Sequence, residues 1–167
     1  MKKILVTGCN GQLGRAINKE YAADDVEFIN TDVVEGEGVT PLDITDVEAV
    51  VSLVEKTKPD VIINCAAVTD TDLCEKEPEL AYRVNALGAR NLSIVARKTG
   101  AKMVQISTDD VFDGIRHTPY TEFDDTNPKT VYGRSKRAGE NYVKEFTHKH
   151  FILRSNWVYG NGNNFVN

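Results

Sequence analysis

The stretch Gly8-Cys9-Asn10-Gly11-Gln12-Leu13-Gly14 constrains this chain more tightly than any other. It follows a short apolar strand, Ile4-Leu5-Val6, and opens a segment, 12–23, whose apolar residues Leu13, Ile17 and Tyr21 recur at helical spacing. Glycines there permit a tight turn and let backbone N–H groups approach a ligand, while the helix N-terminus adds partial positive charge. Such a loop suits a pyrophosphate. A GxxGxxG pattern alone is weak, but a strand before it and a helix after it supply the confirming context. Gly8, Asn10, Gly11, Gln12, Leu13 and Gly14 are therefore the candidate phosphate-side residues.

The rest of the chain repeats the alternation. Strands are expected at 26–31, 39–42, 61–65, 102–107 and 150–153, and helices at 46–56, 78–98 and 131–146, with Asp43 or Thr45 capping the first of these. The strands are continuous aliphatic or β-branched runs, the pattern of strands covered on both faces. Strict alternation with helices argues a parallel sheet with right-handed crossovers. The predicted fold is α/β, a Rossmann-type doubly wound parallel sheet forming one domain over residues 1–167.

Within that fold Asp32 ends the second strand, 18 residues after Gly14, where a carboxylate can hydrogen-bond the ribose hydroxyls of a dinucleotide. No Arg or Lys stands in the loop 33–38, so a 2′-phosphate would face carboxylates, and NADH is favoured over NADPH. The competing reading is a structural turn followed by an unrelated strand-end Asp.

Composition narrows the partners. A net charge of −5 with no long basic run argues against nucleic acid. No apolar stretch reaches membrane-spanning length, and the N-terminus turns to glycine too early for a secretory signal. Cys9, Cys65 and Cys74 have no metal-binding spacing and read as reduced cytoplasmic thiols. His148 and His150 lack a third ligand at suitable spacing, so no metal site is expected. The acidic cluster from Asp70 to Glu79 reads as a solvated turn before a helix.

Tyr132 and Lys136 lie four residues apart near the start of a predicted helix, hence on one face. A cation beside a phenol lowers the phenol's pKa from about 10 and equips it to protonate a carbonyl oxygen as hydride arrives at carbon. The pair is common by itself. A hydroxyl ending the preceding strand, Thr108, could hold the same carbonyl oxygen and makes the pair more telling.

Together with Leu42-Asp43-Ile44, Asn64-Cys65-Ala66-Ala67-Val68-Thr69, Val84-Asn85, Ser107-Thr108-Asp109, Val111-Phe112-Asp113-Gly114, Tyr132-Gly133-Arg134-Ser135-Lys136 and Arg154-Ser155-Asn156-Trp157-Val158-Tyr159-Gly160, the glycine loop resembles the extended short-chain dehydrogenases/reductases. The nearest subgroup is the dTDP-4-dehydrorhamnose reductase family. The resemblance implies reduction of a 4-keto sugar nucleotide, dTDP-4-dehydro-L-rhamnose to dTDP-L-rhamnose, for cell-surface polysaccharide. Tyr132 would be the proton donor, Lys136 would hold the nicotinamide ribose, and Thr108 would be the triad hydroxyl. Gly11, Gln12 and Leu13 would line the pyrophosphate, and Asp43 and Ile44 would flank the adenine. Ala67, Val68 and Thr69 would line the nicotinamide half, Ala66 and Asn85 would also bind the cofactor, and Asp109, Asp110 and Trp157 would meet the dTDP-sugar. Family members commonly dimerise, so a homodimer is the implied assembly.

The sequence also departs from the family. Asp110 stands where the family usually has tyrosine, Val68 where it has an aromatic residue, and Asp70-Thr71 replace a small-then-apolar pair. All four fall at the substrate rim. Family chains continue into a C-terminal substrate lobe, which these 167 residues lack, so the expectation is a cofactor lobe that binds NADH and turns over poorly alone. Two other readings share the motifs. One is a non-catalytic partner like the regulatory subunit of methionine adenosyltransferase; the other is a reductase or epimerase of a different nucleotide sugar.

Overall fold

A computed structural model describes residues 1–160; the last seven residues of the expected domain lie outside the described part. Its strands are β1 (Lys2–Thr7), β2 (Val26–Asp32), β3 (Thr40–Pro41), β4 (Val61–Asn64), β5 (Lys102–Thr108) and β6 (His150–Ser155). They form one parallel sheet in the order β3-β2-β1-β4-β5-β6. Connections run outward from β1 to β3 and then cross back to β4. The switch point, where a dinucleotide-binding crevice is expected, thus lies between β1 and β4 at their carboxyl ends.

One sheet face packs on α2 (Val47–Thr57), α5 (Ala89–Thr99) and α6 (Val131–Phe146). The core between them contains Leu5, Val50, Val54, Ile62, Leu92, Val95, Met103 and Val143, all essentially inaccessible. The other face carries α1 (Gln12–Glu20) and an apolar groove of about 730 Å³ lined by Leu13, Ile17, Ile63, Val104 and Leu153. Strand alternation explains the split: Ile62 enters the three-helix core while Ile63 faces the groove. The expectation of strands covered on both faces holds fully for one face of the described residues.

Two helical expectations change. Asp46, rather than Asp43 or Thr45, caps α2 by accepting from Ala49 N–H at 3.0 Å. The predicted single helix over 78–98 is segmented into α4 (Pro78–Tyr82), a π-helical stretch (Arg83–Gly88) and α5. Before it, the acidic turn is itself a short helix, α3 (Thr71–Lys76), capped by Asp70 on Leu73 N–H at 2.9 Å.

Candidate active site

The glycine loop turns at the end of β1. Gly8 has φ +66°, and a Cβ there would lie 2.7 Å from Ala66 N, so neither the backbone nor the space admits a side chain. Gly11 is the N-cap of α1 and supplies no side-chain cap, leaving the first N–H groups of that helix for a ligand. Gln12 Nε2 is buried and has no hydrogen-bond partner within the described protein. A bare helix N-terminus and an orphaned donor on one loop fit an anionic pyrophosphate.

Asp32 ends β2 beside this loop and is anchored on both oxygens. Asn10 N–H donates to Oδ2 at 3.0 Å and Val34 N–H to Oδ1 at 3.1 Å. The Asn10 side chain closes the arrangement by donating to Val34 O at 2.8 Å. The carboxylate is thus held in place with lone pairs to spare for ribose hydroxyls.

The helix bearing the phenol is fixed by two acceptors. Thr130 accepts from Gly133 N–H at 2.9 Å, and Glu75, reaching across from α3, accepts from Val131 N–H at 2.6 Å. Gly133 is required by contact: a Cβ there would sit 2.3 Å from Asp110 O, so the first turn of α6 rests directly on the turn that follows β5. That turn, Asp109–Val111, is capped by Thr108, whose Oγ1 accepts from Asp110 N–H at 3.1 Å.

Half-buried Tyr132 lines the same cleft as Thr108 across this junction. Burial raises the phenol pKa above 10; the Thr108 hydroxyl opposes this, and the negative charges of Asp110 and Asp109 add to the rise. A phenol made more acidic by Lys136 was the expectation, and the structure reverses it. Lys136 is 5 % exposed and its Nζ donates to Ile106 O at 2.7 Å, so the ammonium is engaged with backbone. Burial pushes Lys136 down to about 8, against the opposing pull of Cys65 and Glu140. Asp110 is raised by burial and by Asp109, and Cys65, at the cleft wall, is pushed up to about 12 mainly by burial.

Behind these groups lies a buried ion pair. Arg154 on β6 grips Glu140 on α6 with both ends of its fork, at 2.8 and 2.7 Å, and Ser107 donates to the same carboxylate at 2.6 Å. It ties the end of β5 to the helix that carries Tyr132 and Lys136.

A cleft of about 690 Å³ joins the glycine loop to the phenol; Gly8, Gln12, Ala67, Thr108, Tyr132 and Lys136 all line it. Residues 1–167 match the family described as RmlD substrate binding domain. The chain belongs to that family. It is 40% identical over 169 residues to the spore coat polysaccharide biosynthesis protein SpsK of Bacillus subtilis, covering 99% of this chain and 57% of the relative. A crystal structure of a dTDP-4-dehydrorhamnose reductase from Clostridium acetobutylicum superposes with a TM-score of 0.92 at 52% identity, over 98% of this chain and 56% of the other. The Bacillus anthracis dTDP-4-dehydrorhamnose reductase in complex with NADP gives 0.91 at 43% identity, over 99% and 58%. The chain thus spans just over half the length of the relatives it matches.

Against the family pattern, the expected site residues divide. Gly8, Gly11, Gln12, Leu13, Gly14, Ala67, Thr69, Thr108, Asp109, Asp110, Tyr132, Lys136 and Trp157 line the cleft. Asn10 and Asp32 flank it through the lock described above. Asp43 is exposed but spends Oδ1 on Thr45 N–H at 2.8 Å. Ile44 is 3% exposed with its side chain in the core, and Ala66 packs against the same core. Val68 packs with Tyr132 on the small cluster of Cys74, Ala81 and Val131.

Asn85 is 2% exposed, and its amide is committed to the protein: it receives Val68 N–H at 2.8 Å and donates to Val68 O and Ser135 Oγ, both at 3.0 Å. It clamps the chain at Val68. The reading from sequence missed Glu75, Ser135, Cys65, Ile106 and Ser155. The acidic run concealed Glu75; the others lie in, or just after, ordinary strands and helices, and only the sheet edge reveals their positions.

Proposed function

We propose that this chain is the cofactor lobe of an NAD(P)H-dependent reductase of a 4-keto sugar nucleotide, converting dTDP-4-dehydro-L-rhamnose to dTDP-L-rhamnose in the cytoplasm. The observation that carries the reading is that the Tyr132 phenol, the Thr108 hydroxyl and Lys136 share one cleft that is continuous with the glycine loop. A bound reduced nicotinamide would supply the hydride to the carbonyl carbon. Thr108 and Tyr132 bracket the position of the carbonyl oxygen, and Tyr132 gives it a proton. The raised phenol pKa keeps that proton in place at neutral pH, as reduction requires. Lys136, deeply buried one turn along α6, provides the positive charge that offsets the oxyanion as charge develops.

The anchored Asp32 carboxylate and the lack of Arg or Lys over 33–38 favour NADH, although a relative binds NADP. The constellation of hydroxyl, phenol and ammonium argues for catalysis over a purely regulatory partner. Fluorescence titration with NADH and NADPH, followed by NADH oxidation dependent on dTDP-4-dehydro-L-rhamnose, tests the reading. Tighter NADH binding and substrate-dependent oxidation that vanishes in Tyr132→Phe are expected. Binding of neither cofactor, or oxidation unchanged in Tyr132→Phe, overturns it.

A further inference from the structure

The carboxyl end of β5 meets α6 at three places. Ile106 O accepts from Lys136 Nζ at 2.7 Å, Ser107 Oγ donates to Glu140 Oε1 at 2.6 Å, and a Cβ on Gly133 would sit 2.3 Å from Asp110 O. Residues 133, 136 and 140 are three and four apart, so they form a single stripe along the helix. Thr108 lies inside this seam, and its Oγ1 accepts from Asp110 N–H at 3.1 Å.

Ser107 and Thr108 both line the cleft, but their protons are committed differently. Thr108 donates to the exposed Asp109 carboxylate at 3.2 Å, a long bond that a ligand can displace. Ser107 is 3% exposed and its one proton goes to Glu140 at 2.6 Å, which leaves nothing to donate to a carbonyl oxygen. Glu140 is fully buried and firmly held. Arg154 donates to both of its oxygens, at 2.8 and 2.7 Å, and Arg137 adds a third bond at 3.3 Å. Arg154 is also the residue that pairs with Ser107 across the sheet, and its guanidinium lies over the Phe112 ring at 5.0 Å. One arginine therefore braces the chain before Thr108, through Glu140 and Ser107, and after it, through Phe112. A hydroxyl that has to meet a reacting oxygen depends on such bracing, because a small misplacement costs rate.

We propose that Ser107 is a positioning residue: anchored on Glu140, it sets where Thr108 presents its hydroxyl to the substrate carbonyl. The inference rests on the reductase reading. Ser107 itself donates nothing to the substrate. Removing its hydroxyl leaves the Arg154–Glu140 pair, the Lys136 bond to Ile106 O and the glycine loop in place, and releases only the last residue of β5.

The test uses Ser107→Ala and Ser107→Cys in the full open reading frame that carries these residues. Cysteine fills the same space with a weaker donor, so it carries the comparison if the alanine variant does not fold. Two readouts are taken. Amide hydrogen exchange followed by NMR reports the Asp110 N–H, whose acceptor is the Thr108 hydroxyl. It should exchange about ten-fold faster in both variants, while Met103 N–H, bonded to Lys149 O at the far end of β5, exchanges as in the parent protein. With NADH and the keto sugar nucleotide, kcat should fall about ten-fold with the NADH KM unchanged. A merely structural role would speed exchange at Met103 and Asp110 alike, and that result overturns the proposal. So does Asp110 exchange equal to the parent's, or an unchanged kcat. If the parent protein shows no NADH oxidation dependent on the keto sugar nucleotide, the reductase reading fails, while the exchange measurement still decides whether Ser107 places Thr108.

Discussion

Replacing Lys136 with methionine should stabilise this protein at neutral pH while abolishing its proposed chemistry. Lys136 is 5% exposed, and burial lowers its pKa from the ordinary 10.5 to about 8. Between those values the unfolded chain binds more protons than the folded one, so stability rises with pH across that window. Below it both states are charged, and the folded state carries the full burden of a buried ammonium. A shift of this size corresponds to about 3 kcal/mol at pH 7. Methionine keeps most of the aliphatic stem but loses the bond to Ile106 O, worth about 1.5–3 kcal/mol for a charged donor. The net at pH 7 is a gain of up to about 1.5 kcal/mol. The pH dependence is the sharper reading: from pH 7 to 9.5 the wild type should gain about 2 kcal/mol relative to Lys136→Met as its lysine neutralises in the fold. Urea denaturation of both proteins at the two pH values measures it. A difference that does not change with pH, or one that moves the other way, would show that Lys136 is not a buried charge held against its solvation.

Three further substitutions probe other parts of the site. Glu140→Gln leaves Arg154 buried with half its partner gone and should cost about 3–5 kcal/mol in urea denaturation at pH 7. Burial raises the Glu140 pKa, but the bonds from Arg154 and Ser107 overcome this and hold it below 4.5. Its contribution is therefore present above that pH and lost as pH falls through the depressed value, and the gap between variant and wild type should close in acid. Gly8→Ala places a Cβ against Ala66 N at a positive φ and should cost about 1–2 kcal/mol from the backbone alone, with NADH affinity falling in a fluorescence titration. Asp110→Tyr, in a polypeptide carrying the remainder of the family's length, should raise kcat/KM for dTDP-4-dehydro-L-rhamnose by removing a half-buried carboxyl beside Tyr132; an unchanged or lower value would mean that Asp110 suits a different sugar.

The parts of this site that the sequence exposed are those written in local patterns. The glycine loop, the strand-end Asp32 and the four-residue step from Tyr132 to Lys136 each depend on neighbours in the chain, and each lies where the pattern placed it. What escaped depends on contacts between distant segments. The run 70–79 is rich in charge and looks like a solvated turn, yet Asp70 caps a helix and Glu75 crosses 56 residues to cap α6 at Val131. One widened turn at Arg83–Gly88 inside an otherwise helical pattern leaves no mark in periodicity, and within that stretch Asn85 clamps Val68 and Ser135. The error over Tyr132 has the same origin. Helical spacing correctly puts Lys136 on its face but says nothing of Ile106 O, which engages the ammonium, nor of the burial that dominates both pKa values. The consequence is chemical: burial and the neighbouring carboxylates keep the phenol protonated, which is the form a proton donor needs.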